Sequence, residues 1–193
     1  MRHPKILVFS GSIRDGSYNG LLAGTIAKRL ALADADVSLI SLGDYPMPIY
    51  DGDLETSDGV PENARRLKQL MQRHAGIFIA SPEYNTSISP LLKNTLDWVS
   101  RLSDPGEPSA AFKNRVFALG AASTGRLGGI RGLMGLRTIL EIGLGALVIP
   151  EMSTVANAKT AFDEHGDLKD ETAAKLADKT VRRLIAEARL RGE

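Results

Sequence analysis

The segment Gly11–Gly20 collects side chains that suit an anion. It offers hydroxyls at Ser10, Ser12 and Ser17, an amide at Asn19 and a guanidinium at Arg14, then opens into helical spacing. Short hydroxyls and amides hydrogen-bond phosphate oxygens, an arginine pairs with their charge, and free N–H groups at a helix start add to the attraction. The pattern is not GxGxxG, and it is not a Walker loop, since no Gly-Lys-Ser/Thr occurs. Encirclement by polar side chains fits a terminal phosphomonoester, whereas a buried pyrophosphate favours bare glycines. The alternative reading is an ordinary helix cap at Ser17 or Asn19 behind a glycine turn.

A second stretch, Ser81 to Arg101, begins with the polar, partly rigid Pro82-Glu83-Tyr84-Asn85. Such a loop presents backbone N–H and C=O groups and a ring, which suits a flat heterocycle with amide-like edges. A turn with a packed tyrosine is the competing reading. A third stretch, Ala121 to Gly132, has small polar residues at Ser123, Thr124 and Gly125, and Gly128-Gly129 permits close backbone approach. Alone it would pass for a flexible loop with a helix cap. Together the three loops describe a mononucleotide cradle, with phosphate at the first and a ring between the other two.

The elements that position these loops follow from the apolar pattern. Ile6–Phe9, Val37–Ile40, Gly76–Ala80, Val116–Leu119 and Ala146–Ile149 are short and mostly continuously apolar, as parallel strands covered on both faces must be. The second run is the most polar and reads as an edge. Helical stripes separate the runs: Leu22, Ile26 and Leu30; Ala64, Leu67 and Met71 behind Pro61; Leu92, Leu96 and Val99 behind Ser89-Pro90; Leu133, Leu136 and Leu140; and Leu176, Thr180, Leu184 and Ala188. Pro61 suits a first helical position, and Glu171–Lys175 and Asp178–Arg182 read as outward pairs four apart. Five β-α units with right-handed crossovers make one parallel sheet with helices on both faces, a single domain over 1–193. Ligands of such sheets bind beyond the carboxyl ends of the strands, where the loops after strands one, three and four emerge. Two loops are long, Gly43–Asp53 and Pro150–Asp170.

Composition narrows the chemistry. The net charge is +1, which gives no support to a nucleic-acid or membrane partner. Cysteine is absent, so thiol nucleophiles, disulfides and cysteine-bound metals are excluded, and a cytoplasmic location is expected. The run Ile6–Phe9 is too short for a signal segment, and no run reaches membrane-spanning length. His3, His74 and His165 fall outside every motif, so no metal site and no histidine base is expected.

The chain resembles the NAD(P)H-dependent FMN reductase family, with its quinone, azo and chromate reductase members. The resemblance rests on Gly11-Ser12-x-Arg14-x-x-Ser17-x-Asn19, on Pro82-Glu83-Tyr84-Asn85-x-Ser87, and on Leu92-Lys93-Asn94-x-x-Asp97-Trp98. Pro46-x-Pro48-x-Tyr50-Asp51 and Gly128-Gly129-x-Arg131 also match. It implies a flavodoxin-like α/β three-layer sandwich with a five-stranded parallel sheet, order 2-1-3-4-5. It implies FMN as cofactor, NADPH or NADH as hydride donor and a small-molecule electron acceptor, with no catalytic side chain. Ser12, Arg14, Ser17, Tyr18 and Asn19 would hold the phosphate end. Pro82, Glu83, Tyr84 and Asn85 would line the ribityl chain and ring, largely through backbone, and Ser123 and Gly125 would border the ring. Family members are dimers or tetramers, so a homodimer or homotetramer is expected. The Tyr45–Tyr50 loop, a partly buried Trp98 and Arg101 would shape a pocket shared between subunits.

Two other readings compete. A flavodoxin-like electron carrier or regulatory module shares the fold, but such carriers are strongly acidic, unlike this chain. A flavin-free dinucleotide protein needs GxGxxG and an acidic residue ending strand two, where Ile40-Ser41-Leu42 stands instead.

Overall fold

Five strands, β1 (Lys5–Ser10), β2 (Asp36–Ser41), β3 (Gly76–Ala80), β4 (Val116–Ala122) and β5 (Leu147–Val155), form one sheet in the order β2-β1-β3-β4-β5. All four pairings are parallel. The computed structural model describes residues 3–103 and 110–191. β3 and β4 are buried along their whole length, while β2 at the edge is half exposed, as its polar pattern requires.

Alternation along the inner strands divides the core. Ile6, Val8, Phe78 and Ala118 face α1 (Tyr18–Leu32) and α8 (Glu171–Arg189), meeting Leu22, Ile26, Leu30, Val181 and Leu184. Leu7, Phe9, Ile77, Ile79, Phe117 and Leu119 face the other way. There they meet Leu67 and Met71 of α3 (Glu62–Gln72), Leu92 and Leu96 of α4 (Pro90–Ser100), and Leu133 and Leu136 of α6 (Ile130–Thr138). The chain also forms α2 (Gly52–Asp58), α5 (Ala110–Lys113), α7 (Ala158–Ala161) and a π-helical turn over Ile139–Gly143. The sandwich and the strand order are those expected.

Several boundaries differ from the sequence reading. β5 runs on to Val155 instead of ending at Ile149, so the loop expected from Pro150 is much shorter. Pro150 is tolerated because β5 is an edge strand, where a missing N–H disrupts no ladder. The pairing shifts register there, Phe117 opposing Val148 and Leu119 opposing Met152, which absorbs the extra residues as a bulge. Pro61 sits one position before α3, as its cap. Ser89 caps α4 with Pro90 first in the helix, as expected. Glu171 pairs with Lys175, but Asp178 reaches across to Arg29 of α1 instead of Arg182. That ion pair joins the two helices of one face.

The register fixes where the site stands. Ser10 pairs with Ala80, and Ala80 with Gly120. The loops after β1, β3 and β4 therefore leave the sheet at nearly one level.

A candidate mononucleotide site at the carboxyl ends of three strands

The first loop orders itself and keeps its donors. Ser12 N–H donates to Ser10 Oγ at 3.1 Å, and Arg14 N–H to Ser12 Oγ at 3.4 Å. Ser17 caps α1, its Oγ accepting from Gly20 N–H at 3.3 Å. In each case the hydroxyl acts as acceptor, so its own proton remains to be donated. The N–H groups of Tyr18 and Asn19, first in the helix, have no partner among the described residues, and no acidic residue occupies the first turn. Arg14 bends over its own loop, donating to the carbonyls of Asp15 (3.0 Å) and Gly16 (3.3 Å), which aims part of a five-donor fork at the loop rim. The helix cap weighed from the sequence is thus present at Ser17, and the same segment keeps unengaged donors.

The Asn19 amide, read from the sequence as available to an anion, is spent within the chain. The amide is 4% exposed and spends both ends on Ala122, Nδ2 donating to its carbonyl and Oδ1 accepting its N–H, each at 2.9 Å. A buried amide must satisfy its polar atoms locally, and here it does so by tying α1 to the end of β4.

Similar ties bind the loops together. Gly11 N–H donates to Ala80 O at 2.9 Å, Ser89 Oγ to Gly11 O at 2.6 Å, and Ser81 N–H to Gly120 O at 2.8 Å. The second loop ends in a two-residue hairpin. Tyr84 and Ser87 exchange both backbone hydrogen bonds at 2.9 Å around Asn85 and Thr86, whose φ values are 49° and 69°. Positive φ at both central positions is the type I′ turn, which asparagine tolerates and a β-branched threonine does not easily. The turn leaves Tyr84 52% exposed at the strand ends.

Glu83 links the second loop to the third. Its carboxylate accepts from Gly132 N–H at 2.9 Å and from Arg131 Nε at 3.0 Å. α6 has no side-chain cap of its own, since Gly129 stands at its start with φ 84°, so Glu83 supplies one from elsewhere in the chain. Burial pushes the Glu83 carboxyl upward, but the Gly132 N–H and the Arg131 guanidinium outweigh it and hold the group below the usual carboxylate range. It therefore stands ionised and engaged, which suits a clamp and not a proton donor. In the third loop, a Cβ on Gly125 would meet Ser123 Oγ at 3.7 Å, an ordinary contact.

The segment after β2 is strapped to α4. Pro48 O accepts from Trp98 Nε1 at 2.7 Å and Asn94 Nδ2 at 2.8 Å, and Tyr50 N–H donates to Asn94 Oδ1 at 2.8 Å. Trp98 is fully buried within the chain, edge-on to Tyr50 with ring centroids 4.9 Å apart. It is therefore not a partly exposed interface side chain, because residues 47–54 fold over it. Tyr50 Oη and Arg101 Nε both donate to Glu55, at 2.9 and 2.8 Å. The hydrogen bond to Glu55 raises the tyrosine pKa, while that to Arg101 lowers the glutamate's. His74 is remote from these loops: Nδ1 donates to Leu70 O at 2.7 Å and Nε2 meets Ser38 Oγ at 2.8 Å.

Comparison with known proteins joins this geometry to a family. The model of NADPH-dependent FMN reductase matches residues 4–160, which include all three loops. The chain belongs to the NADPH-dependent FMN reductase family. An NAD(P)H-dependent FMN reductase of Pseudomonas aeruginosa is 32% identical over 194 residues, covering 97% of each chain. A quinone reductase of Escherichia coli K12 is 36% identical over 146 residues, 75% of this chain and 73% of its own. Among solved structures, the flavoenzyme NAD(P)H:(acceptor) oxidoreductase FerB of Paracoccus denitrificans superposes with a TM-score of 0.79 at 25% identity, covering 97% and 98% of the two chains. This FMN reductase is thus an oxidoreductase that uses FMN and NAD(P)H.

The residues present fit FMN. Free hydroxyl protons, two unengaged N–H groups and a guanidinium at the first loop suit its phosphate, and the exposed ring of Tyr84 on the second suits its flat ring. Sequence reasoning missed Ser10, Ser89 and the Glu83–Arg131 pair as loop ties. The Ser89 cap was visible, but its second bond to Gly11, 78 residues away, was not.

Proposed function

We propose that this FMN reductase takes hydride from NAD(P)H and delivers it to small-molecule acceptors, quinones first, with azo compounds, metal oxyanions and free flavin as further candidates. The observation that carries the reading is three loops tied at one level, with unengaged donors on the first and the exposed Tyr84 ring on the second. Quinone leads because the second relative is named for it.

Bound FMN supplies the ring that accepts and returns hydride; the chain supplies position and field. Ser12, Arg14 and Ser17 hold the phosphate with side chains, and Tyr18 and Asn19 with backbone N–H groups. Pro82, Glu83, Tyr84 and Asn85 present backbone and one ring face to the ribityl chain and isoalloxazine. Ser123 and Gly125 border the ring through their backbone. No side chain need move a proton, which agrees with histidines placed elsewhere and an ionised, engaged Glu83. Assembly as a homodimer or homotetramer in the cytoplasm completes the proposal. Exposed Ile49, Leu127, Met134 and Ile142 offer apolar area of the kind that subunits cover.

Comparing FMN with riboflavin tests the phosphate assignment. FMN is expected to bind more tightly than riboflavin, and Arg14→Ala to weaken FMN about tenfold while leaving riboflavin unchanged, since a charge-assisted bond contributes roughly 1.5–3 kcal/mol. Equal affinity for the two flavins would reject it.

A further inference from the structure

Four arginines stand on or beside the site loops, and the structure separates them. Arg14 donates to its own loop, Arg101 is paired with Glu55, and Arg131 with Glu83. Arg126 makes no hydrogen bond or ion pair among the described residues. It lines a cleft of about 450 Å³ between the third loop, the end of β5 and the start of α8. Lys169, Thr154, Asn157 and Thr172 line the same cleft, and their side-chain polar atoms are likewise unengaged. The acid on its wall, Asp170, is occupied as the cap of α8, accepting from Ala173 N–H at 2.7 Å. The cleft therefore holds two free cations and three free polar side chains.

This cleft adjoins the proposed ring site through a shared wall. Asn157 N–H donates to Gly125 O, and Ala158 N–H to Ser123 O. The backbone read as bordering the ring is thus the other side of the loop carrying Arg126. A dinucleotide tethers its adenosine half to its nicotinamide through a pyrophosphate, so a basic cleft one loop away from the ring is a candidate seat for that half. A ribose phosphate carries close to two negative charges and three acceptor oxygens, which a guanidinium pairs in bidentate fashion and an ammonium as a point charge. We propose that this cleft receives the 2′-phosphate-bearing ribose of NADPH, with Arg126 and Lys169 on the phosphate, and so sets a preference for NADPH over NADH. The inference rests on the reading of Ser123–Gly125 as the border of the flavin ring.

The test uses the FMN-loaded protein and two readouts. In calorimetry, adenosine 2′,5′-bisphosphate is expected to bind at least about tenfold more tightly than adenosine 5′-phosphate. In turnover, Arg126→Gln is expected to lower the NADPH-to-NADH ratio of kcat/KM about tenfold, the loss carried by the KM for NADPH, with Lys169→Gln giving a smaller fall and Arg126→Lys partial recovery. Equal binding of the two adenosine nucleotides, an unchanged ratio in Arg126→Gln, or equal loss with both donors would overturn it. If the protein keeps FMN and both nucleotides bleach it without discrimination, only this inference falls. If it keeps no FMN, the proposed function falls and this inference with it.

Discussion

Glu83 lies in the motif that carries the family resemblance, yet its carboxylate works as a tie between loops. It caps α6 at Gly132 and pairs with Arg131, and it is largely buried while Arg131 is half exposed. Removing it with Glu83→Ala leaves the Gly132 N–H without its acceptor and is expected to cost about 1–3 kcal/mol in urea unfolding at pH 7. Its pH dependence has a definite sign. A carboxyl held below its usual range in the folded state stabilises above the unfolded pKa, and that contribution is lost as pH falls through the folded value. Wild type should therefore lose stability more steeply than Glu83→Gln as pH drops below the usual carboxylate range. Equal slopes would show that the clamp contributes nothing electrostatic. The partners of Glu83 stand 48 and 49 residues away, and nothing in the local sequence points to them. The same holds for Asn19, whose residue type suits a phosphate while its buried amide is spent on Ala122, 103 residues on.

At the scale of elements, glycine-controlled turns set the loops. Gly129 has φ 84°, and a Cβ there would lie 2.6 Å from Ala121 Cβ. Gly129→Ala combines left-handed strain with a backbone-level clash and is expected to destabilise by about 1–3 kcal/mol or more, with weakened FMN retention, as read by chemical denaturation and flavin titration. Unchanged stability would mean that the third loop is softer than its packing implies. The strap over α4 makes a separate prediction. Trp98→Phe keeps an aromatic ring but deletes the bond to Pro48 and part of the buried volume, so residues 45–51 should become more open to proteolysis at a cost of at least about 1 kcal/mol. An unaltered cleavage pattern would assign the strap to Asn94 alone. Long amphipathic helices and buried strands were legible because their periodicity is strong. α2 was not, since none of its seven residues is buried and no stripe forms. β5 was cut short at Pro150 because a proline ends an inner strand but not an edge one.

The whole molecule follows from five apolar runs and the polarity of one of them. Continuous burial demands helices on both faces, and half-exposed β2 demands an edge, both in agreement with the order 2-1-3-4-5 that the family resemblance implied. That order brings the ends of β1, β3 and β4 side by side, so three loops far apart in sequence build one site. The most direct test mixes the purified protein with FMN, removes free flavin, and records the visible spectrum before and after NADPH is added without oxygen. A retained flavin band that bleaches quickly is the expected result. A band that neither NADPH nor NADH bleaches would contradict the reductase and favour an electron carrier, and no band at all would contradict the phosphate loop itself.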